Sequence, residues 1–360
     1  MRRLSSTVAR LTALRKGMLP SSAGSSRLTD TAFSPNPGAL SAKTYIPANL
    51  PPGAPLVVVL HGCTQDASLY DRGSGWSQLA DRHGFALLFP EQERANNFNL
   101  CFNWYQAADA RRGRGEAASI AFMIAQVTKA HQLDPARVYI NGLSAGGAMT
   151  MVMLACYPEL FAGGAIIAGL PFAVAEGTPD ALEAMRGHPL PSRRALAASI
   201  ASASDHRGPW PTLSVWHGTA DHVVSSANAG AIVDQWRDRI GLGTVEGEQD
   251  RVDGQRRTIW RNAKGKIAIE RYDIAGMGHG TPLATRGDQP CGQSGPHMLE
   301  AGICSTSRLA ESWGIATGVK AQRQPAPNQP APHLTPPPVT TPTGVGAVIE
   351  DALRAAGLMR

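Results

Sequence analysis

The 360-residue chain has no run of about 18 consecutive apolar residues, the minimum for a helix that crosses a bilayer, so no transmembrane span is expected. Cysteine is scarce: there are five, at positions 63, 101, 156, 291 and 304. That is too few for a disulfide scaffold at this length, and none is spaced C-x-x-C, so zinc is not implied. A basic stripe is also missing. Lys+Arg 34 against Asp+Glu 28 leaves a formal charge of +6, and the arginines are scattered, so nucleic acid is not expected as a partner. The start, Met1-Arg2-Arg3-Leu4, is basic but lacks the uninterrupted apolar stretch of roughly 7–15 residues that a cleavable signal needs. No signal is read there, which favours the cytoplasm. What is present is core material, with 43% hydrophobic and 17% charged residues, enough for one large core or two smaller ones.

Five segments follow from composition. Over residues 1–18, Leu4, Val8, Leu11, Leu14 and Met18 recur at three- and four-residue steps among arginines with no acid, a basic amphipathic helix. Such a helix suits packing on its own domain or a partner, docking on a hydrophobic or anionic surface, or an organellar transit peptide. Residues 19–42, rich in Ser, Pro and Gly, are expected as a linker. From 43 to 317 short apolar runs alternate with helical patterns, the mark of an α/β domain with a mostly parallel sheet and helices on both faces. The strand candidates are 55–60, 85–89, 137–141, 164–168, 212–216 and 269–274, and the clearest helices are 117–131 and 148–156. Residues 318–343 form a proline-dense linker, and 344–360 return to helical spacing.

Chemistry concentrates at Gly142-Leu143-Ser144-Ala145-Gly146. It follows one strand candidate and opens a helix, the context in which G-x-S-x-G forms a nucleophile elbow. A serine hydroxyl is a weak nucleophile and needs a base, itself oriented by a carboxylate. In the chain order Ser, acid, His, Asp221 lies on the loop after the 212–216 strand, and His279 lies in the glycine-flanked loop after 269–274. The rivals fit less well: His217 reads as a structural residue at the start of its loop, His222 adjoins the acid, and Asp205 and Asp234 require different strands. The oxyanion of an acyl-transfer intermediate needs two backbone donors. Ala145, after the nucleophile, supplies one, and Cys63 in His61-Gly62-Cys63-Thr64 the other, with His61 read as a buried residue that fixes its loop.

Several motifs together resemble one family. Leu60-His-Gly-Cys-Thr-Gln65, Phe89-Pro-Glu-Gln92, Cys101-Phe-Asn-Trp-Tyr105, the segment from Tyr139 to Gly147, and His217-Gly-Thr-Ala-Asp221 look like the polyhydroxybutyrate depolymerase-type esterases of the α/β-hydrolase superfamily. The resemblance spans about residues 42–313. It implies Ser144, Asp221 and His279 as a triad, Cys63 and Ala145 as the oxyanion hole, and Trp104 near the substrate. It also implies a disulfide between Cys63 and Cys101. Cys291 and Cys304 are placed to pair around a loop, which leaves Cys156 buried and reduced. If both bridges form, an extracellular setting, as in many relatives, becomes the alternative to the cytoplasm.

Two departures bear on substrate: Phe102 stands where relatives often carry tryptophan, and Gly280-Thr-Pro-Leu283 replaces a tryptophan-containing segment after the histidine. The expected activity is metal-independent, cofactor-free ester hydrolysis through an acyl-enzyme. The expected substrates are poly(3-hydroxybutyrate)-type or short hydroxyalkanoate esters, with feruloyl or acetyl esters of plant polysaccharides as the alternative. From another class, a binding protein that kept the fold without turnover would have no chemical need for all three triad residues. In the polymer reading the terminal segments hold the enzyme on a polymer surface. No oligomeric state is assigned.

Overall fold

The run Leu56–Leu60 (β3) is buried along its whole length. Its side chains alternate between two cores: Leu56, Val58 and Leu60 face one, Val57 and Val59 the other. The same division holds for Ala86–Glu91 (β4) and Val138–Leu143 (β5), where Leu88 and Ile140 face the first core and Leu87 and Tyr139 the second. Strands covered on both faces need apolar residues at every position, which is why these segments read as continuous runs rather than alternating ones.

The computed structural model describes residues 26–287, 290–316 and 323–325. The remaining strands are β1 (Thr29–Asp30), β2 (Ser41–Tyr45), β6 (Gly163–Ile167), β7 (Thr212–Gly218), β8 (Glu248–Val252), β9 (Gln255–Arg261), β10 (Ile267–Ile274), β11 (Thr281–Leu283), β12 (Met298–Glu300) and β13 (Arg323–Pro325). All but β11 and β12 join one sheet in the order β1-β2-β4-β3-β5-β6-β7-β10-β9-β8-β13. From β4 to β10 the strands run parallel, and antiparallel strands flank this block on both edges. The six strands expected from sequence lie within two residues of β3 to β7 and β10. The helices are α1 (Ala67–Ser74), α2 (Trp76–His83), α3 (Gly115–Ala130), α4 (Ala145–Cys156), α5 (Thr178–Arg186), α6 (Arg193–Ala203), α7 (Ala227–Arg239) and α8 (Ser305–Ser312).

Two expectations about boundaries need correction. The linker expected over 19–42 is structured in its described part: β1 and β2 form the sheet edge, and Leu28, Leu40 and Ala42 are buried in the cores. Scattered Leu and Ala among Ser, Pro and Gly carry too little periodicity to announce a two-residue strand. Within the segment expected as a proline-dense linker, Arg323–Pro325 pairs antiparallel with β8. The helices expected over 1–18 and 344–360, and the surface association assigned to them, lie outside the described residues.

The second core is closed by Trp313, which follows α8 and is stacked between Trp76 (centroids 6.0 Å apart) and Tyr139 (4.9 Å). The Tyr139 hydroxyl also donates to the Trp313 carbonyl, 3.1 Å away. Removing the indole leaves two flat rings facing a cavity. Trp313→Ala is therefore expected to cost about 3–5 kcal/mol, read as a lower urea midpoint with little change in slope.

Candidate active site

The elbow is built by close backbone approach. Ser144 follows β5 with φ 55° and ψ −117°, a conformation that costs a non-glycine residue of order 1–3 kcal/mol. The surrounding structure holds it: the Ser144 N–H donates to Ile167 O (2.9 Å), and its carbonyl accepts from Ala148 N at the start of α4. A Cβ on Gly142 would stand 2.4 Å from the Gly146 backbone. A Cβ on Gly146 would stand 2.4 Å from the carbonyl oxygens of both Leu60 and His61. The glycines of the motif thus let α4 seat directly on the end of β3.

That contact brings the β3 loop beside the serine. Among the described residues, neither the Cys63 N–H nor the Ala145 N–H donates a hydrogen bond, so both amides remain available. Cys63 is joined to Cys101 by a disulfide, and Thr64 N donates to Asn99 O (2.7 Å), which ties the loop to the 97–105 segment. The second disulfide, Cys291–Cys304, also forms, and Cys156 is buried and free.

The acid and the histidine are brought together by strand order. β7 and β10 are parallel neighbours with Gly218 opposite Ile274, so the loops that leave them start side by side. They are joined by Thr219 N to Ile274 O (2.9 Å), Ala220 N to Met277 O (3.0 Å) and Gly276 N to Thr219 Oγ1 (2.9 Å). Gly218 admits the approach, since a Cβ there would lie 2.2 Å from Met277 O. At the junction His279 Nδ1 lies 2.8 Å from Asp221 Oδ2. Asp221 Oδ1 accepts from Val223 N and Val224 N, both at 2.9 Å. Burial favours the neutral acid, but hydrogen bonds from His217 and His279, the charge of His279 and the Val224 amide outweigh it. The carboxyl therefore sits well below its ordinary value and is ionised. A carboxylate only accepts, so His279 Nδ1 carries the proton and Nε2 is the basic nitrogen. The Ser144 hydroxyl makes no hydrogen bond among the described residues, so the link from His279 to Ser144 is not closed.

The rivals occupy other places. His217 is buried, with Nε2 bonded to Val224 O (2.9 Å) and 3.4 Å from Asp221 Oδ2, which makes it a structural support of the acid loop. His222 and Asp205 are exposed, and Asp234 lies on α7 facing Arg237. Trp104 is 6% exposed, edge-on to Tyr105 in the apolar cluster that contains Ala145. Phe102 is wholly buried against His61 (5.0 Å), behind the 61–64 loop.

One neighbour escaped sequence reading. His297 donates from Nδ1 to the His279 carbonyl (3.2 Å), and its ring meets that of His279 edge-on at 5.8 Å. It lies 18 residues away in a loop without motif, so only the fold reveals it. A cavity of about 240 Å³ lies at the opposite end of β7 and β10, with Arg257, Glu270, Arg308 and Trp313 in its lining. Its arginines are paired with Asp250 and Asp253, and it takes no part in this site. Among the described residues no group of three or more His, Cys, Asp or Glu is placed to hold a metal ion.

A predominantly parallel sheet, a serine elbow after its central strand and an Asp–His pair on later loops at the same end define an α/β-hydrolase. The chain belongs to the family described as Esterase PHB depolymerase, whose model matches residues 40–259. It is 40% identical over 286 residues to poly(3-hydroxyalkanoate) depolymerase C of Paucimonas lemoignei, covering 79% of this chain and 69% of that one. It is 30% identical over 274 residues to feruloyl esterase B of Talaromyces stipitatus, covering 74% and 75% of the two chains. The solved acetyl xylan esterase from Aspergillus awamori shares the fold, with TM-score 0.68 and 24% identity over 80% of this chain and 99% of that one. The chain is a carboxylic ester hydrolase.

Two outcomes test the geometry. Gly146→Ala drives a methyl into two backbone carbonyls that have no side-chain freedom. It is expected to destabilise the fold by at least about 1–3 kcal/mol, seen as a lower denaturation midpoint or loss of soluble protein. The second concerns pH. Because Asp221 sits below its ordinary value of 3.8 in the fold, its stabilising contribution is complete above that value and is lost as pH falls through the lower, folded one. The gap in unfolding free energy between wild type and Asp221→Asn should hold from pH 6 to about pH 5 and then narrow as pH falls through 3.8 and below. A gap that stays constant would show that the ionised carboxylate contributes nothing to stability.

Proposed function

We propose that Ser144 is the nucleophile of an acyl-enzyme mechanism, with His279 as base, Asp221 as its orienting carboxylate, and the Cys63 and Ala145 amides as the oxyanion hole. The observation that carries this is the Asp221–His279 pair at 2.8 Å, formed by loops that leave the sheet at the same end as the serine elbow. With Nδ1–H held by Asp221, Nε2 receives the Ser144 proton as Oγ attacks the ester carbonyl. The carbonyl oxygen gains charge between the two unpartnered amides, and the proton passes to the departing alcohol. Water, deprotonated by the same imidazole, then releases the acid. The Ser144–His279 hydrogen bond closes in the substrate complex, as such bonds commonly tighten there.

The substrates we assign are esters of short hydroxy acids, polymeric or oligomeric. Support comes from the 40% identity to a poly(3-hydroxyalkanoate) depolymerase against 30% to a feruloyl esterase. In this reading Trp104, 6% exposed and in a T-shaped pair with Tyr105, lies beside the acyl chain. The two disulfides support an oxidising compartment over the cytoplasm.

The test uses wild type, Ser144→Ala and Asp221→Asn on matched hydroxybutyrate oligomers, feruloyl esters and acetylated xylan. Ser144→Ala should abolish turnover and labelling by a fluorophosphonate, and Asp221→Asn should lower kcat by about 10⁴ with the fold intact. Turnover that survives Ser144→Ala would end the mechanism. A wild type that prefers feruloyl or acetyl esters would end the substrate assignment.

A further inference from the structure

The amide of Cys63 shares a peptide plane with the carbonyl of Gly62, so whatever fixes that carbonyl fixes the direction of the N–H. Among the described residues the cis bonds are those before Pro35 and Pro189. The Gly62–Cys63 unit is therefore trans, with C=O and N–H pointing in opposite directions. His61 Nδ1 lies 2.7 Å from Gly62 O, and Gln65 N donates to the same oxygen at 3.3 Å. On the other side of Gly62, its own N–H donates to Gln65 Oε1 (2.9 Å). The His61 tautomer is set by its second nitrogen. Gln92 N–H points at Nε2 (3.1 Å), so Nε2 must accept and Nδ1 must carry the hydrogen. Complete burial lowers the ring's pKa to about 4, which keeps this neutral form across the working range. Gln92 also holds the far side of the loop, since its Nε2 donates to Cys101 O (3.0 Å) beyond the disulfide.

We propose that His61 is a positioning residue for the reaction: through Nδ1–H and the Gly62 carbonyl, it turns the Cys63 N–H toward the developing oxyanion. This rests on the reading of Cys63 as an oxyanion donor. His61 touches no reacting atom and transfers no proton. Its effect is confined to the transition state, because the ester carbonyl needs the second donor most when it becomes tetrahedral.

The experiment compares His61→Asn, His61→Gln and His61→Ala with wild type on a soluble nitrophenyl butyrate at pH 8, where the imidazole is neutral. Asn places an amide N–H near the position of Nδ1, whereas Gln reaches the position of Nε2. His61→Ala should lower kcat at least tenfold with KM within about twofold, and the affinity for a boronic acid that forms a tetrahedral adduct should fall in parallel. His61→Asn should recover most of the loss and His61→Gln should not. If the alanine variant does not fold, the two amide variants carry the comparison alone, and equal kcat values for them overturn the proposal. So does a folded His61→Ala with unchanged kcat. A failure of the underlying mechanism looks different, because wild type itself would then not label with a fluorophosphonate, or Ser144→Ala would remain active.

Discussion

The contact on which the site depends is between a helix and a carbonyl pair with nothing between them. Gly146 lies against Leu60 O and His61 O at a distance that excludes even a methyl group. This does two things at once. It accompanies the turn that leaves Ser144 at positive φ, and it joins the elbow to the β3 loop, so that Ser144 and the Cys63 and Ala145 amides are held on one contact. The cost of the strained serine is met by ordinary bonds around it: Ser144 N to Ile167 O, Ala148 N to Ser144 O, and an α4 whose every residue is buried. An exposed helix would not supply that packing.

The second half of the site is assembled by different means. Asp221 and His279 are 58 residues apart, yet their loops begin from adjacent parallel strands and are joined by backbone bonds before the side chains meet. The carboxylate is then over-determined, with two amides on one oxygen and two imidazoles near the other. His217 supports the Val224 end of the same turn through its Nε2. The division is clear in physical terms: steric exclusion builds the serine elbow, and hydrogen-bond saturation of a buried anion orients His279.

How legible this was depended on whether a signal was local. Continuous apolar runs such as 56–60 announced central strands because both faces are buried, and G-x-S-x-G announced its elbow because the glycines answer to sterics within five residues. Asp221 and His279 were readable because each lies on the loop that follows a strand candidate. The antiparallel flank was not. β8 is polar and mostly exposed, so hydropathy is silent there, although Asp253-Gly254 at positive φ marked the hairpin between β8 and β9. The short helices α1 and α2 carried their own punctuation in Asp66, Gly75 and Gly84, but eight-residue stretches give little periodicity to act on. His297 had no local signal at all, since its role is defined by a carbonyl 18 residues earlier.

The motifs that looked like separate family marks in the chain converge on one bracket in space. His61 and Cys63 from the first, Gln92 from the second, and Cys101, Phe102 and Asn103 from the third are connected by bonds among themselves. At the back stands Glu116, wholly buried at the start of α3, accepting from Gln92 Nε2 (2.5 Å) and Asn103 N (2.8 Å). Burial, opposed by those bonds and reinforced by nearby Asp109, pushes its carboxyl up to about 8. Since its folded value lies above its ordinary one, ionising it costs stability as pH rises, and a core Leu or Met would avoid that cost. What an apolar residue could not do is accept from two donors on different segments, one leading to His61 and the other to Trp104. The bracket therefore trades stability for alignment. The residues that set the 61–64 loop need to be shared between segments, and only polar groups with fixed donor and acceptor directions connect segments that way.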